Sequence, residues 1–171
     1  MNYVNDGYCN LMRNFTVVIE CQKGSNLKIE FDENSGEFKT DFIFKDIAFP
    51  YYYGFIPGTK AGDGDTMDAI ILSDMVLKTG DAVACKAVGI VKIIDRGEED
   101  DKIIAVPLQD PQAEKLNDLS DVLITWREKW KDFLSEVARQ KNKKMEVVGF
   151  ESREAAEAAI EKSNLLPIDK K

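Results

Sequence analysis

Short β-branched segments separated by turn-forming residues dominate residues 16–107, and this pattern limits the fold more than any other feature. Thr16–Glu20 and Leu27–Phe31 are separated by CQKGSN, and Phe38–Phe44 follows the turn DENSGE. Segments of this kind, bounded by Gly, Asn, Asp and Ser, are typical of strands. Further strands are predicted at Asp68–Leu72, Asp81–Asp95, Lys102–Pro107 and Met145–Phe150. The segments at 81–95 and 102–107 are predicted to form a hairpin with an acidic tip.

Two helices are predicted towards the end of the chain. In the segment 120–140, apolar residues recur at steps of three and four: Leu123, Trp126, Trp130, Phe133 and Val137. This spacing predicts an amphipathic helix, with Ser120 as its N-cap. Residues 152–163 are rich in Ala and Glu and predict a second helix capped by Ser152. Strands first and helices last predict an α+β fold, in which helices pack outside a β-barrel or a curled sheet.

The length and the apolar content favour one domain. The chain has 171 residues, of which 44% are hydrophobic, and this is enough to bury a sizeable core. We see no repeat or linker and expect a single domain over residues 1–171. No apolar segment approaches the roughly 18 residues that a membrane span needs. The N-terminal segment lacks the basic-then-apolar pattern of a secretion signal, so we expect a cytoplasmic protein.

Composition excludes several kinds of chemistry. The chain has no histidine, which removes Ser–His and Cys–His dyads and histidine-based zinc sites. The three cysteines, Cys9, Cys21 and Cys85, lack metal-ligand spacing and are interpreted as reduced thiols. The net charge of −8 would repel nucleic acid and anionic lipid, so neither is an expected partner. A phosphorylated substrate would have to arrive with cations.

Three aspartates lie within six positions of the segment KAGDGDTMDAIIL: Asp63, Asp65 and Asp68. Two interpretations are open. The segment is either a solvated turn, or a site for a hard cation that offsets the repulsion between the carboxylates. A helix–loop–helix calcium site does not fit, because Met67 occupies the fifth ligand position, Asp68 replaces the required glycine and no glutamate closes the loop.

Further carboxylates lie at strand ends and at the hairpin tip: Glu20, Glu30, Asp95, Asp100 and Asp101. Lys28 and Glu30 share one face of their strand, because residues two apart in a strand do. Carboxylates that converge from a loop and a hairpin would make an oxygen-rich site. Without histidine, such a site indicates Mg²⁺ or Mn²⁺.

The segment AFPYYYGFIPGTKAGDGDTMDAIIL resembles the signature of family I soluble inorganic pyrophosphatases. In that signature Tyr-Pro, two residues and Tyr-Gly precede a D-G-D-P-x-D loop. The resemblance continues in chain order through VVIE, LKIEFDENSGE, GIVKIIDRGEEDDKIIAVP, WKDF and VVGFESREAAEAAI. Several motifs in the right order are far more specific than any one of them.

The resemblance implies a small, closed, five-stranded OB-like barrel with flanking C-terminal helices. It implies hydrolysis of pyrophosphate to two phosphates with several Mg²⁺ ions, for which Mn²⁺ is a substitute. The implied metal ligands are Asp63, Asp68, Asp95, Asp100, Glu20 and Glu30. Asp65 is implied to accept a proton from the attacking water. The implied substrate-binding residues are Lys28, Tyr53, Lys102, Lys131 and, in place of a family tyrosine, Trp130.

The chain departs from the family pattern near the expected substrate. The family has an arginine after the strand aspartate matched here by Asp41, whereas this chain has Phe42. Phenylalanine cannot make the bidentate phosphate contacts of an arginine. Family tyrosines are replaced by Phe49 and Trp130, and an acidic family position is Arg96.

These departures leave two classes of function open. One is a working pyrophosphatase in which Arg96, Lys39 or Lys45 stands in for the arginine, and the retained central aspartates favour this metal-dependent hydrolysis. The other is a relative with an altered diphosphate substrate, or a non-catalytic protein that binds metal and diphosphate. The resemblance also implies a homo-oligomer, a hexamer in relatives of similar length. Without histidine, the contacts between its subunits must differ from those of some relatives.

Overall fold

Residues 14–164 are described by a computed structural model. In chain order the elements are β1 (Asn14–Cys21), β2 (Leu27–Asp32), β3 (Glu37–Ile43), β4 (Tyr52–Ile56), β5 (Met67–Ile71), β6 (Ala82–Asp95), β7 (Glu98–Glu99), β8 (Lys102–Pro107), α1 (Ile124–Gln140), β9 (Met145–Glu151) and α2 (Arg153–Ser163). Two short 3₁₀ turns separate β8 from α1. All the strands predicted from the sequence therefore form, whereas β4 and β7 were not predicted.

Five strands close into a barrel in the order β1-β4-β5-β8-β6, because β6 pairs with both β8 and β1. Neighbouring strands are antiparallel except β5 and β8, which are parallel. β6 is 14 residues long and also pairs with β7 and β9. The predicted α+β class, the closed five-stranded barrel and the pairing of β6 with β8 are confirmed.

Gly54 allows β4 to fit between β1 and β5. A Cβ atom at position 54 would lie 2.1 Å from the carbonyl oxygen of Val18 on β1, far inside any allowed contact. Glycine in a strand often marks such a close approach of two backbones, and it weakens the strand pattern in the sequence. The glycine of the YYYG segment is therefore a packing requirement of the barrel.

β2 and β3 form a second, two-stranded antiparallel sheet. Within residues 14–164 no strand ladder joins this sheet to the barrel. Its contacts with the barrel run through side chains instead. The N–H of Phe31 donates to Glu20 Oε2 at 2.8 Å, and the ring of Phe31 stacks on Phe55 with 5.5 Å between centroids. The sheet thus forms one wall of the cavity described below.

The helix α1 packs on the barrel through one apolar face. The buried residues of that face are Trp130, Phe133, Leu134 and Val137. The prediction of Ser120 as N-cap was wrong, because α1 begins at Ile124 and no side chain caps it. Ser120 lies in a 3₁₀ turn that Asp118 caps. Leu123 precedes the helix and is 75% exposed, so it lies outside the buried face.

The helix α2 begins as the sequence predicts. The Ser152 side chain accepts a hydrogen bond from the N–H of Ala155, and Ala156 is buried in the apolar cluster that includes barrel residues. No helix in the described range has the length and apolar character that a membrane span requires.

A buried carboxylate outside the main cavity makes one part of the stability pH-dependent. Asp110 accepts hydrogen bonds from Ser73 Oγ at 2.5 Å and from the N–H of Gln112 at 2.9 Å. Burial alone would raise the pKa of Asp110, but these hydrogen bonds outweigh it and hold the pKa below its ordinary value. The stabilisation is therefore present above about pH 3.9, the unfolded pKa of aspartate. It is lost as the pH falls through the lower folded pKa.

Asp110→Asn should lower the free energy of unfolding by about 1–3 kcal/mol at neutral pH, as expected for a weakened buried network with a charged acceptor. The difference from wild type should shrink as the medium becomes strongly acidic. Urea unfolding at a series of pH values measures both effects. The control is Asp74→Asn, because the Asp74 side chain is 75% exposed and should change the stability by less than about 1 kcal/mol. A difference that does not vary with pH would contradict this account.

Candidate active site

The carboxylates singled out from the sequence line one cavity of about 1090 Å³, except Asp101, which pairs with Lys92 outside it. Its walls come from the barrel, from the β2–β3 sheet and from α1. The predicted site residues that line it are Glu20, Lys28, Glu30, Tyr53, Asp63, Asp65, Asp68, Asp95, Asp100, Lys102 and Trp130. Segments that are far apart in the sequence are thus brought together at a single polar site.

Lys102 lies between two of these carboxylates. The parallel register of β5 and β8 places Asp68 opposite Lys102. Lys102 Nζ is 2.7 Å from Asp68 Oδ2 and 2.8 Å from Asp100 Oδ1, and the residue is 5% exposed. Burial alone would lower the pKa of Lys102, but the two carboxylates outweigh it and raise the pKa above its ordinary value. Lys102 is therefore a permanent internal cation that offsets part of the repulsion.

Tyr53 connects this charged group to an aromatic wall. Its hydroxyl donates to Asp68 Oδ2 at 2.5 Å, and its ring stacks on Trp130 with 6.2 Å between centroids. Burial and the negative charge of Asp68 raise the pKa of Tyr53 well above its ordinary value, so the hydroxyl keeps its proton. Phe49 lies 6.1 Å from the Tyr53 ring. Among residues 14–164, the buried Trp130 Nε1 has no hydrogen-bond partner.

Asp63 and Asp65 lie on the loop between β4 and β5. The N–H of Asp65 donates to Asp63 Oδ1 at 3.0 Å. Gly64 between them has φ of 91°, a conformation that glycine adopts without strain. The end of α2 anchors this loop, because the N–H of Lys60 donates to the carbonyl oxygen of Ser163 at 2.7 Å. The two aspartates are therefore held at the cavity by local turn geometry and by a distant helix.

Two carboxyl groups at the cavity have raised pKa values. Burial, and after it the charges of Asp63 and Asp68, raise the pKa of Asp65. Burial raises the pKa of Glu20 to about 7, although the hydrogen bond from the N–H of Phe31 opposes this change. Both shifts follow from crowding negative charge in a partly desolvated space. Even with Lys102 present, the site has an excess of negative charge that suits added cations.

The donor chemistry of the site fits a hard divalent cation. Asp63, Asp65, Asp68 and Asp100 line the same cavity, and carboxylate oxygens are the ligands that Mg²⁺ and Mn²⁺ prefer. In the described part of the chain, no three acidic or cysteine side chains are close enough to enclose one ion. Asp68 and Asp100 bind Lys102 instead. An ion bound by these aspartates would therefore compete with Lys102 for them.

Sequence and structural relatives place the chain in a known family. Residues 17–165 match the family model for inorganic pyrophosphatase. This chain belongs to the inorganic pyrophosphatase family. It is 35% identical to the soluble inorganic pyrophosphatase of Zea mays over 150 residues, which cover 87% of this chain and 70% of that protein. It is 36% identical to the inorganic pyrophosphatase of Helicobacter pylori over 151 residues, which cover 86% of this chain and 87% of that protein.

Solved pyrophosphatase structures share the fold. The crystal structure of inorganic pyrophosphatase from Thermus thermophilus has a TM-score of 0.82 and 31% identity, covering 87% of this chain and 88% of that chain. The Helicobacter pylori structure has a TM-score of 0.84 and 35% identity, covering 89% of this chain and 92% of that chain. The family resemblance inferred from the ordered motifs is therefore confirmed.

Lys131 is the one predicted site residue that does not line the main cavity of this pyrophosphatase family member. It lines a separate cavity of about 230 Å³, together with Ile93 and Glu146. Trp130 faces the barrel, and each following helical residue lies about 100° further around the axis. Lys131 therefore lies about 100° around the helix axis from Trp130, beside the smaller cavity.

Three lysines that the sequence analysis did not single out line the cavity: Lys60, on the loop before β5, and Lys141 and Lys143, after α1. Lys141 follows α1 on the same helical face as Trp130 and Val137, and Lys143 follows two residues later. Lys143 Nζ is 3.5 Å from Asp95 Oδ2. Val137 lies seven residues after Trp130, and Lys141 lies four residues after Val137. This helical spacing could have indicated from the sequence that Lys141 lies on the same side of the helix as Trp130.

Proposed function

We propose that this protein hydrolyses inorganic pyrophosphate to two phosphates in a reaction that depends on Mg²⁺, with Mn²⁺ as a substitute. The observation that carries the proposal is the single cavity that gathers the carboxylates of Asp65, Asp68 and Asp100 with the ammonium groups of Lys28 and Lys102. Such a cavity suits a substrate that is highly anionic and arrives with cations. Membership of the pyrophosphatase family supports diphosphatase activity.

The proposed Mg²⁺ ligands are Asp63, Asp68, Asp95 and Asp100, with Glu20 and Glu30 serving an outer ion. When bound, Mg²⁺ would offset the charge of the phosphate oxygens and make a nearby water more acidic. The mixture of acidic and basic side chains fits phosphoryl transfer, in which positioning and electrostatic stabilisation supply most of the catalysis.

Asp65 is proposed as the general base. Water forms a bond to one phosphorus while the bond from that phosphorus to the bridging oxygen breaks, and the water proton passes to the Asp65 carboxylate. The Asp65 carboxylate lines the cavity, and within residues 14–164 it has no ion-pair partner that would occupy its oxygens. The two products are then separate phosphate ions.

Groups that donate hydrogen bonds are proposed to bind the substrate oxygens. Lys28 and Lys102 supply ammonium groups, and Tyr53 supplies a hydroxyl that keeps its proton. Trp130 lines the cavity, but its Nε1 is closed to solvent and has no hydrogen-bond partner in the described residues. Trp130 is proposed to contact the substrate in place of the family tyrosine through the ring that stacks on Tyr53, and not through Nε1.

We also propose a cytoplasmic location and assembly into a homo-oligomer, with the hexamer as the expected form. Cys21 and Cys85 are buried free thiols, and burial raises the pKa of each to about 12, so they remain protonated and unreactive. Val76 and Ile124 are large apolar residues that one copy of the chain leaves exposed, and contacts between subunits would cover surface of this kind.

Purified protein should release two phosphates per pyrophosphate when Mg²⁺ is present and none when EDTA removes the metal. A colorimetric phosphate assay measures the release, and a phosphate monoester such as glycerol phosphate is the control substrate that should stay intact. Absence of phosphate release by protein with a folded circular dichroism spectrum would contradict the proposed function.

A further inference from the structure

Two lysines share one carboxylate where the β2–β3 sheet meets the end of α1. Lys28 Nζ and Lys141 Nζ each lie 3.3 Å from Asp41 Oδ2. This distance exceeds the roughly 2.7–2.9 Å of a strong ammonium–carboxylate hydrogen bond. Lys28 also contacts Glu30, whereas Asp41 is the only carboxylate within salt-bridge distance of Lys141 in residues 14–164. The positive charge of Lys141 is therefore only partly balanced.

Electrostatics around Lys141 favour an anion. Burial lowers the pKa of Lys141, and the neighbouring charges of Lys28 and Lys143 lower it further, while Asp41 opposes the change. Three ammonium groups thus lie near one another at a cavity wall. An anion between them would offset this repulsion, and a phosphate group has the charge and the acceptor oxygens to do so.

The end of α1 is held in place, so the position of Lys141 is fixed. The N–H of Lys45 donates to Gln140 Oε1 at 2.8 Å, and Gln140 Nε2 donates back to the Lys45 carbonyl oxygen at 2.8 Å. This reciprocal pair ties the end of the helix to the segment after β3. The N–H of Lys141 donates to the Val137 carbonyl oxygen, and its Nζ lies 5.5 Å from the centroid of the Phe42 ring. That distance is typical of a cation–π contact.

The sequence analysis offered Lys39, Lys45 and Arg96 as replacements for the family arginine. Each of them is either outside the cavity or more exposed than Lys141. Lys39 Nζ is bound to Asp32 at 2.7 Å and does not line the cavity. Lys45 is exposed and also lies outside the cavity wall. Arg96 lines the cavity, but 67% of its side chain is exposed, whereas only 16% of the Lys141 side chain is.

We propose that Lys141, together with Lys28, binds one phosphate group of the diphosphate substrate. The proposal rests on the proposed hydrolysis of pyrophosphate at the same cavity. Phe42 supplies a ring beneath the ammonium group but no charge of its own. The positive charge on this side of the site therefore comes from the end of α1 as well as from β2, and Lys141 is a substrate-binding residue.

Lys141→Met should raise the KM for pyrophosphate by about 10- to 100-fold, as expected when a hydrogen bond from a charged group is lost. The effect on kcat should be smaller, because a binding contact of this kind is made before and during the reaction. Isothermal titration with imidodiphosphate, a non-hydrolysable analogue, in the presence of Mg²⁺ should show the same loss of affinity. Lys141→Arg keeps the charge and should recover most of the affinity.

Lys45→Met is the matched control. It removes the same charge beside the same helix end but outside the cavity, and it should change the KM by less than about threefold. If Lys141→Met has the same KM and the same affinity for imidodiphosphate as wild type, the proposed role of Lys141 is overturned. Hydrolysis by the wild type would still support the proposed function. An arginine variant that binds as poorly as the methionine variant would also overturn the role of Lys141.

The two proposals can fail separately. If wild-type protein binds imidodiphosphate but releases no phosphate from pyrophosphate, the proposed function fails, and the titrations of Lys141→Met and Lys45→Met still decide whether Lys141 binds phosphate groups. If wild-type protein neither binds imidodiphosphate nor releases phosphate from pyrophosphate, both proposals are overturned.

Discussion

Asp65→Asn should lower kcat for pyrophosphate hydrolysis by about 10²- to 10⁴-fold, the usual contribution of a general base. Asparagine has almost the same shape as aspartate, but its amide cannot accept the proton of the attacking water. Asp65 is exposed at the cavity and has no ion-pair partner in the described structure, so the variant should fold normally. Phosphate release measures kcat, and urea unfolding measures stability.

A second variant at the same cavity shows whether the loss of kcat is specific to Asp65 or follows from removing any negative charge there. Glu33 lines the cavity, is exposed and has no proposed role, so Glu33→Gln is the matched control. We expect its kcat to stay within about threefold of wild type, because exposed charges interact weakly with a site in water. Titration with Mg²⁺ should show that Asp65→Asn keeps at least part of its metal binding. A kcat equal to that of wild type would eliminate Asp65 as the base.

Lys102→Met should destabilise the metal-free protein by about 3 kcal/mol, because removing one partner of a buried ion pair leaves charge uncompensated. Asp68 and Asp100 would then face each other without the ammonium group that now lies 2.7 and 2.8 Å from them. Their side chains are 27% and 24% exposed, so solvent screens part of the repulsion and places the effect at the low end of the range for buried pairs. Urea unfolding in EDTA measures it.

Mg²⁺ should stabilise Lys102→Met more than it stabilises wild type. The ion and Lys102 compete for the same aspartates, and a ligand that binds only the folded state stabilises it by mass action. Lys92→Met is the control, because Lys92 is 31% exposed and pairs with Asp101 at 2.6 Å, and its loss should cost about 1 kcal/mol or less. Equal stabilities of Lys102→Met and wild type in EDTA would show that Lys102 is not the counter-ion of the site.

Much of the fold was predictable because its elements carry local patterns. β6 is a long segment rich in Val and Ile, and the alanine- and glutamate-rich segment after Ser152 becomes α2. β4 was missed because Gly54 interrupts its strand pattern, and the reason for that glycine is a contact with Val18 that only the folded barrel shows. Ser120 is a good capping residue by type, but Asp118 takes that role in a separate turn before α1.

The site was predictable where its residues are neighbours in the sequence. Asp63, Asp65 and Asp68 fall in one short segment and stood out at once. The contact between Asp68 and Lys102 depends on the register of two parallel strands, and no local pattern encodes that register. No local pattern encodes the contact between Lys141 and Asp41 either, because the two residues are 100 positions apart in the chain.

The separation of the β2–β3 sheet from the barrel has a consequence for how the protein can accommodate ligands of different size. Asp68, Asp100 and Lys102 belong to the hydrogen-bonded framework of the barrel or adjoin it, whereas Lys28, Glu30 and Asp41 belong to a sheet that no ladder in the described residues attaches to that framework. One side of the site thus belongs to the barrel ladders or adjoins them, and the other side is attached to the barrel through side-chain contacts. A displacement of the hairpin would leave the barrel ladders intact, but it would strain the hydrogen bond from the Phe31 N–H to Glu20 and the ion pair between Asp41 and Lys141.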